Sequence, residues 1–213
     1  MIPFNKKILT VGIVIGVIFL LLIGFFIWYV SAKNKFIALD EGVQEQWAKV
    51  EVQYQRRLDL IPNLVNTVKG YAEHESNTFE TVTRARAGLT DAYNEALSES
   101  ENNTVAPVDD QAMARFSDSQ RRLADALNIY VNAVHEAYPD LKADTQFLDL
   151  QAQLEGTENR IATERGRYTD KVKEYNVAVR SFPGSFVAGL AGFSPKPQFQ
   201  AESQASKAPT VTF

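Results

Sequence analysis

Two histidines, His74 and His135, each followed by a glutamate, are the side chains of this chain best suited to holding a metal ion. Imidazole nitrogens and carboxylates are ordinary zinc and iron ligands. Neither histidine opens an H-E-x-x-H motif, however, and no spacing nominates a third ligand. The Glu-x-x-His pairs that hold carboxylate-bridged metals in helical bundles are missing as well. There is no phosphate-cradling glycine loop and no G-x-S-x-G elbow. Cysteine is absent, which excludes disulfides, thiolate metal sites and a thiol nucleophile. The sequence therefore predicts no catalytic residue, no metal and no cofactor, with a metal-binding or enzymatic bundle built on His74 and His135 as the alternative.

A second group of polar residues is more specific, because its members stand where a helical pattern calls for apolar side chains. They are Arg57, Gln120, Glu158 and Arg165. Burying an unpaired charge is costly, so these residues are expected to pair with one another or with shorter polar groups. Glu158 and Arg165 are two turns apart, too far for an i, i+4 bridge, so cross-helix partners are required.

The elements that must position them begin with an uncharged run, Ile8–Val30. As a helix it is about 35 Å long, enough to cross a hydrocarbon core of about 30 Å. Trp28 and Tyr29 close it where interfacial aromatics belong. A cleaved secretory signal ending near Val30-Ser31-Ala32 is the rival reading, but the run exceeds the usual signal core. Gly12 and Gly16 form a G-x-x-x-G pair, with Gly24 eight residues further on the same face, so the span could self-associate. Lys6 and Lys7 lie before the span and Lys33 and Lys35 after it; the expected topology keeps the short tail inside and delivers the domain outward.

Beyond the span, residues with a spacing of seven fall into two rows. One is Phe36, Val43, Val50, Leu64 and Tyr71, interrupted by Arg57; the other is Trp47, Tyr54, Ile61 and Val68. They predict one long helix with a narrow buried stripe, kinked at Pro62 and stopping near Gly70. A second helix is expected from Asn77, capped by that side chain, with Phe79, Val82, Leu89, Tyr93 and Ala96 inward. Residues 98–108, SESENNTVAPV, read as a loop and the best candidate for disorder. A third helix carries Met113, Phe116, Leu123, Leu127, Tyr130, Val134 and Ala137 around Gln120. It ends at Tyr138-Pro139-Asp140, and a fourth restarts near Asp144 with Phe147, Leu154, Ile161, Tyr168, Val172, Tyr175 and Val179.

Four helices joined by short connections predict an all-α fold, an antiparallel up-down four-helix bundle behind a transmembrane helix. The expected division is a short tail (1–7), the span (8–30), the bundle (31–182) and a C-terminal tail (183–213). The fourth helix should return toward the membrane. The following SFVAGLAGF, residues 185–193, would then cap the open end of the bundle or lie in the bilayer interface. Beyond the span, 20 basic side chains face 26 acidic ones, so nucleic acid is not an expected partner.

Residues 46–75, QWAKVEVQYQRRLDLIPNLVNTVKGYAEHE, resemble the LemA family of bacterial membrane proteins. So do YPDLK at 138–142, FLDLQAQLEGTENRIA at 147–162, GFSPKPQF at 192–199 and the final APTVTF. The resemblance implies a single N-terminal anchor and an antiparallel four-helix domain. It also implies a family not known for enzymatic activity, whose molecular role is largely unsettled and some of whose members belong to the magnetosome membrane set. Thr169 departs from the Asn that commonly follows the tyrosine. Gly184-Ser185 replace a more usual Ser-Asn. The same resemblance marks Arg56, Arg57, Asp59, Asn63, Glu158, Asn159 and Arg160 as parts of family blocks. Together with Arg165 they suggest a polar seam that either binds a partner peptide or closes on itself as an internal ion-pair network. The expected role is a membrane-anchored interaction or scaffolding module at the bacterial envelope. Its partners would be the bilayer, other membrane proteins and a second copy of the chain.

Overall fold

The structure, a computed structural model, describes residues 6–72 and 80–200. Five α-helices and a 3-10 turn follow one another: α1 (Lys6–Ala72), α2 (Glu80–Asn102), α3 (Asp110–Ala137), the turn Pro139–Ala143, α4 (Thr145–Arg180) and α5 (Gly184–Ala191). No strand occurs among the described residues, and the fold is all-α. The chain forms two compact units. One contains the described residues up to Glu41 together with Glu174–Pro195; the other contains Gly42–Lys173 together with the described residues from Lys196.

The second unit is the helical bundle, and its helix directions follow from contacts. Trp47, Arg57 and Tyr71 of α1 meet Phe116, Gln120 and Tyr138 in that order, so α1 and α3 run parallel. Gln46 meets Glu164 and Arg57 meets Glu158, so α1 and α4 run antiparallel. Between α2 and α3, Arg122 bridges to Glu95 and Gln120 reaches Ala96. The topology is up-down-up-down, as short connections require.

Both seven-spaced rows of α1 are turned inward, with Val43, Val50, Leu64, Trp47, Tyr54, Ile61 and Val68 all buried in this unit. Each such side chain contributes about 1.5–3 kcal/mol on burial. Two helix ends differ from the expectation. α1 runs through Pro62, as the pattern predicts, and continues two residues past Gly70 to Ala72. α2 extends through Ser98 to Asn102, and its Ser100 is buried. The following connection is tied to α1: Trp47 Nε1 donates to the Asn103 carbonyl at 2.9 Å, and the Ala106 amide donates to Gln44 Oε1 at 3.1 Å. These anchors give a polar, proline-bearing stretch a fixed conformation, which local composition does not reveal. The expected cap Asn77 and stripe residue Phe79 lie outside the described residues.

The ends of α3 and α4 follow the chemistry expected of them. Asp109 caps α3 by accepting from the Ala112 amide, and Asp144 caps α4 by accepting from the Phe147 amide. Pro139 cannot continue a helix and sits at the start of the 3-10 turn, whose Leu141 is buried.

In the first unit, the apolar stretch of α1 is the part of the described chain long and apolar enough to cross a membrane, and none of it is buried. Phe36 is buried against Phe193, with ring centroids 5.4 Å apart. Tyr175 donates its hydroxyl proton to the Ser194 carbonyl at 3.0 Å. The SFVAGLAGF segment supplies α5, which buries Val187 and Ala188 within this unit. Gly192 ends it with φ 79°, a left-handed cap that favours glycine, and the Phe193 amide reaches back to the Ala188 carbonyl at 3.0 Å.

Gly184 begins α5 where there is no room for a side chain: a Cβ there would lie 2.5 Å from the Ala178 carbonyl oxygen and 3.2 Å from the Phe36 ring. The Gly184→Ala variant is expected to lose about 1–3 kcal/mol through overpacking. Thermal unfolding followed by circular dichroism in detergent checks this; an unchanged midpoint would show that the turn relaxes freely.

Candidate functional site

Arg57 is the most deeply placed charge of the bundle, with a side chain 2 % exposed. Its Nη1 donates to Glu158 Oε1 of α4 at 2.7 Å. Its Nη2 donates to the Gln120 carbonyl at 3.1 Å and to Gln120 Oε1 at 2.5 Å. Gln120 Nε2 in turn donates to the Ala96 carbonyl of α2 at 3.4 Å. One buried guanidinium and one buried amide thus link all four helices. The network is built by register: Arg57 occupies a stripe position on α1, and Gln120 occupies the matching position on α3.

Glu158 is not buried, since 42 % of its side chain is exposed. The pair therefore runs from the core to solvent, and water relieves part of the desolvation cost. Arg57 Nε has no hydrogen-bond partner among the described residues. The Tyr54 ring lies under the guanidinium, 5.3 Å from its carbon, and packs edge-on to Phe116. Burial pushes the Tyr54 phenol above its ordinary value, partly opposed by Arg165 and Arg57, so at neutral pH it is uncharged.

These residues form the floor of an open cleft of about 520 Å³ between α1, α3, α4 and the extended stretch that carries Gln198 and Gln200. Its rim carries Asp118, Arg121 and Asp125 from α3, Arg165 from α4, and Gln198 from the extended stretch. The hydrogen bond from Arg121, with Arg122 alongside, holds the Asp118 carboxyl below its ordinary value, so the rim keeps charges of both signs. Arg165 lies over the Phe199 ring at 4.6 Å. Phe199 also stacks on Trp47, with centroids 6.1 Å apart, and meets Tyr168 edge-on.

Of the residues marked in the sequence, Arg57, Glu158 and Arg165 come together here. Arg56, Asp59, Asn63, Asn159 and Arg160 do not; all five are exposed, and Asp59 accepts a hydrogen bond from Gln55 on its own helix. An Arg-Arg-x-Asp group and a Glu-Asn-Arg group cannot meet as blocks, because adjacent residues on a helix point about 100° apart. The sequence alone did not show Gln198 and Gln200 as one wall of the cleft, nor Phe199 packed on Trp47 between them. Their signal is the paired prolines at 195 and 197, which remove backbone donors and favour an extended path.

His135 meets the side-chain amide of Gln151 at 3.1 Å and packs edge-on to Phe147. Among the described residues no group of three His, Asp or Glu side chains is placed to hold a metal ion. His74 lies outside the described residues. Gly12, Gly16 and Gly24 sit on the span with open space where each Cβ would be.

A helical bundle with a charged cleft, carried on a chain with a long apolar N-terminal helix, defines a membrane-associated bundle protein. The chain belongs to the LemA family, whose profile matches residues 46–213. It is 25 % identical over 210 residues to Magnetosome protein MamQ of Magnetospirillum gryphiswaldense, covering 95 % of this chain and 76 % of the relative. MamQ 2 of Paramagnetospirillum magneticum is 25 % identical over 193 residues, covering 84 % of this chain and 68 % of the relative. Protein LemA of Metamycoplasma hominis is 23 % identical over 165 residues, covering 77 % of this chain and 64 % of the relative.

The two ends of the ion pair are unequal, and substitution should expose this. Arg57→Ala removes the only charge-bearing donor set at the centre and leaves Gln120 buried with unmet acceptors, so a loss of about 3–5 kcal/mol is expected. Glu158→Gln keeps an acceptor for the guanidinium but removes its counter-charge at the solvent edge, and should lose less, about 1–3 kcal/mol. Chemical denaturation of the two variants checks the order; equal losses would contradict it.

Proposed function

We propose that this LemA-family protein is a non-catalytic interaction module of the bacterial envelope. The cleft above Arg57 receives a segment of another membrane or envelope protein, and the span confines the module to the plane where such partners are found. The observation that carries this reading is the cleft itself. It is an open, walled depression with a buried guanidinium at its floor and charges of both signs at its rim, backed by aromatic rings. Such a surface offers hydrogen bonds and apolar contact together, as recognition patches do. In this reading the domain lies on the outer side of the membrane, with Lys6 and Lys7 held inside. Two of the relatives are named as magnetosome proteins, which supports a role in a cellular assembly rather than in catalysis.

A photo-reactive amino acid at Asp118 or Asp125, on the rim, tests the cleft in intact membranes. Val52, which is 61 % exposed on α1 and not part of the cleft, is the control. Discrete adducts from 118 and 125 and none from 52 are expected; equal capture from all three positions would refute a localised site. Protease access in the same membranes reports the side on which the domain lies.

A second reading, self-assembly through the span, has its own observation. Among the described residues, nothing lies within 4 Å of where a Cβ on the glycine face, at Gly12, Gly16 or Gly24, would be. Leucine at positions 12 and 16 therefore disturbs nothing internal. If the face pairs with a second copy, Gly12→Leu with Gly16→Leu lowers the oligomer size in detergent. An unchanged size excludes the glycine face.

A further inference from the structure

α5 is a short helix that carries no charge and shows its bulkiest residues to the outside. Phe186 and Leu190 are 54 % and 62 % exposed, and Phe182, in the turn just before the helix, is 88 % exposed. Phe186 and Leu190 are four residues apart, the spacing that places side chains along one helical ridge. The opposite face is fixed by Val187 and Ala188, which are buried. No Asp, Glu, Lys or Arg occurs from Ser181 to Phe193.

The position of this ridge along α1 decides what it meets. The Phe186 ring packs edge-on against Phe25, with centroids 6.4 Å apart. Phe25 lies within the uncharged run, five residues before its end at Val30, and its ring also touches Trp28 at 5.7 Å. Five residues of helix correspond to about 7.5 Å of depth. An interfacial helix sinks its apolar face about 5–10 Å into the headgroup and acyl boundary, so the two depths agree. Exposed residues of the span and of α5 thus form one continuous apolar surface.

Part of the backbone at both ends of α5 is hydrogen-bonded within the chain. The Ser185 amide donates to the Ser181 carbonyl at 2.9 Å and the Phe186 amide to the Pro183 carbonyl at 3.2 Å, so the start of α5 is satisfied internally. At its end the Gly192 and Phe193 amides both return to the Ala188 carbonyl. Unpaired backbone groups are what lipid penalises most. Lys33, Lys35 and Arg180, all exposed in the same unit, supply cations suited to lipid phosphates.

We propose that α5 is a second membrane contact: a helix lying in the bilayer interface beside the span, with Phe186 and Leu190 in the acyl region and the bilayer as its partner. The proposal rests on the span being in the membrane and is independent of the cleft. It gives the chain two attachments to lipid, one across the bilayer and one along its surface.

The chain contains no cysteine, so single-cysteine variants label at one place only. The full-length protein is prepared as Leu190→Cys and as Phe186→Cys, with Val14→Cys in the span and Val52→Cys in the bundle as references. Each is labelled with a nitroxide and reconstituted in vesicles containing anionic lipid. All four positions are exposed in the chain, so folding should be retained, and circular dichroism verifies it. Labels at 190 and 186 are expected to collide readily with oxygen and to be several-fold less accessible than 52 to a water-soluble nickel chelate, as 14 is. Nickel access at 186 and 190 equal to that at 52 overturns the proposal. Low access to both reagents also overturns it, since the ridge is then covered by protein. A span label at 14 open to nickel would instead refute the membrane reading on which the proposal stands.

Discussion

The bundle depends on one buried guanidinium. Arg57 sits in a stripe otherwise filled by Val50, Leu64 and their neighbours, and its charge must be met on every side. It is met by α3 through Gln120 and by α4 through Glu158, while Gln120 extends the chain of bonds to α2. Apolar packing would tolerate sliding of one helix past another by a turn, because most stripe positions are interchangeable hydrocarbons. An arginine cannot be treated this way, since a shift of one turn would strand its donors in the core. The network therefore selects one register, the best-attested role for buried polar groups.

The same interaction shapes the surface above it. Because Glu158 lies half in solvent, the pair is reachable from outside, and the helices part there into the cleft. A fully apolar core could have closed over this point. Instead α1 and α4 present Tyr54, Ile161 and Arg165 as walls, and the extended stretch through Pro197 completes them by laying Phe199 on Trp47. Tyr168 Oη donates to the Pro197 carbonyl at 3.4 Å, which ties that extended stretch to α4. A site that begins as a register device and opens to solvent fits the interaction role proposed for the protein. Structural and recognition chemistry then use the same residues.

In the unit that contains the span, a different constraint dominates. Most side chains along the uncharged run are exposed, and α5 adds Phe186 and Leu190 to that apolar surface, with Phe182 just before the helix. Water penalises such a surface, whereas a bilayer accommodates it. Close packing at Gly184 and the left-handed cap at Gly192 hold α5 in place, so its exposed ridge is a fixed feature of the fold.

The sequence by itself determined the helices and their inward faces, because hydrophobic period and capping chemistry act locally. The rows on α1 and the stripes of α3 and α4 could be read directly, as could the turn at Pro139 and the uncharged run. It also showed that Arg57, Gln120, Glu158 and Arg165 stood in apolar positions. Only the tertiary structure decided which of them meet. Residues 98–102 look like loop when read alone, yet they finish α2, and the adjoining residues are fixed by Trp47 and Gln44, distant in the chain. Arg56, Asp59, Asn159 and Arg160 share motifs with the network but point outward, because helical rotation separates neighbours that a motif groups together. The cleft and the packing of Phe199 on Trp47 were likewise beyond local reading. Packing between segments far apart in sequence is set by the sum of many contacts, and no short window of residues contains that sum.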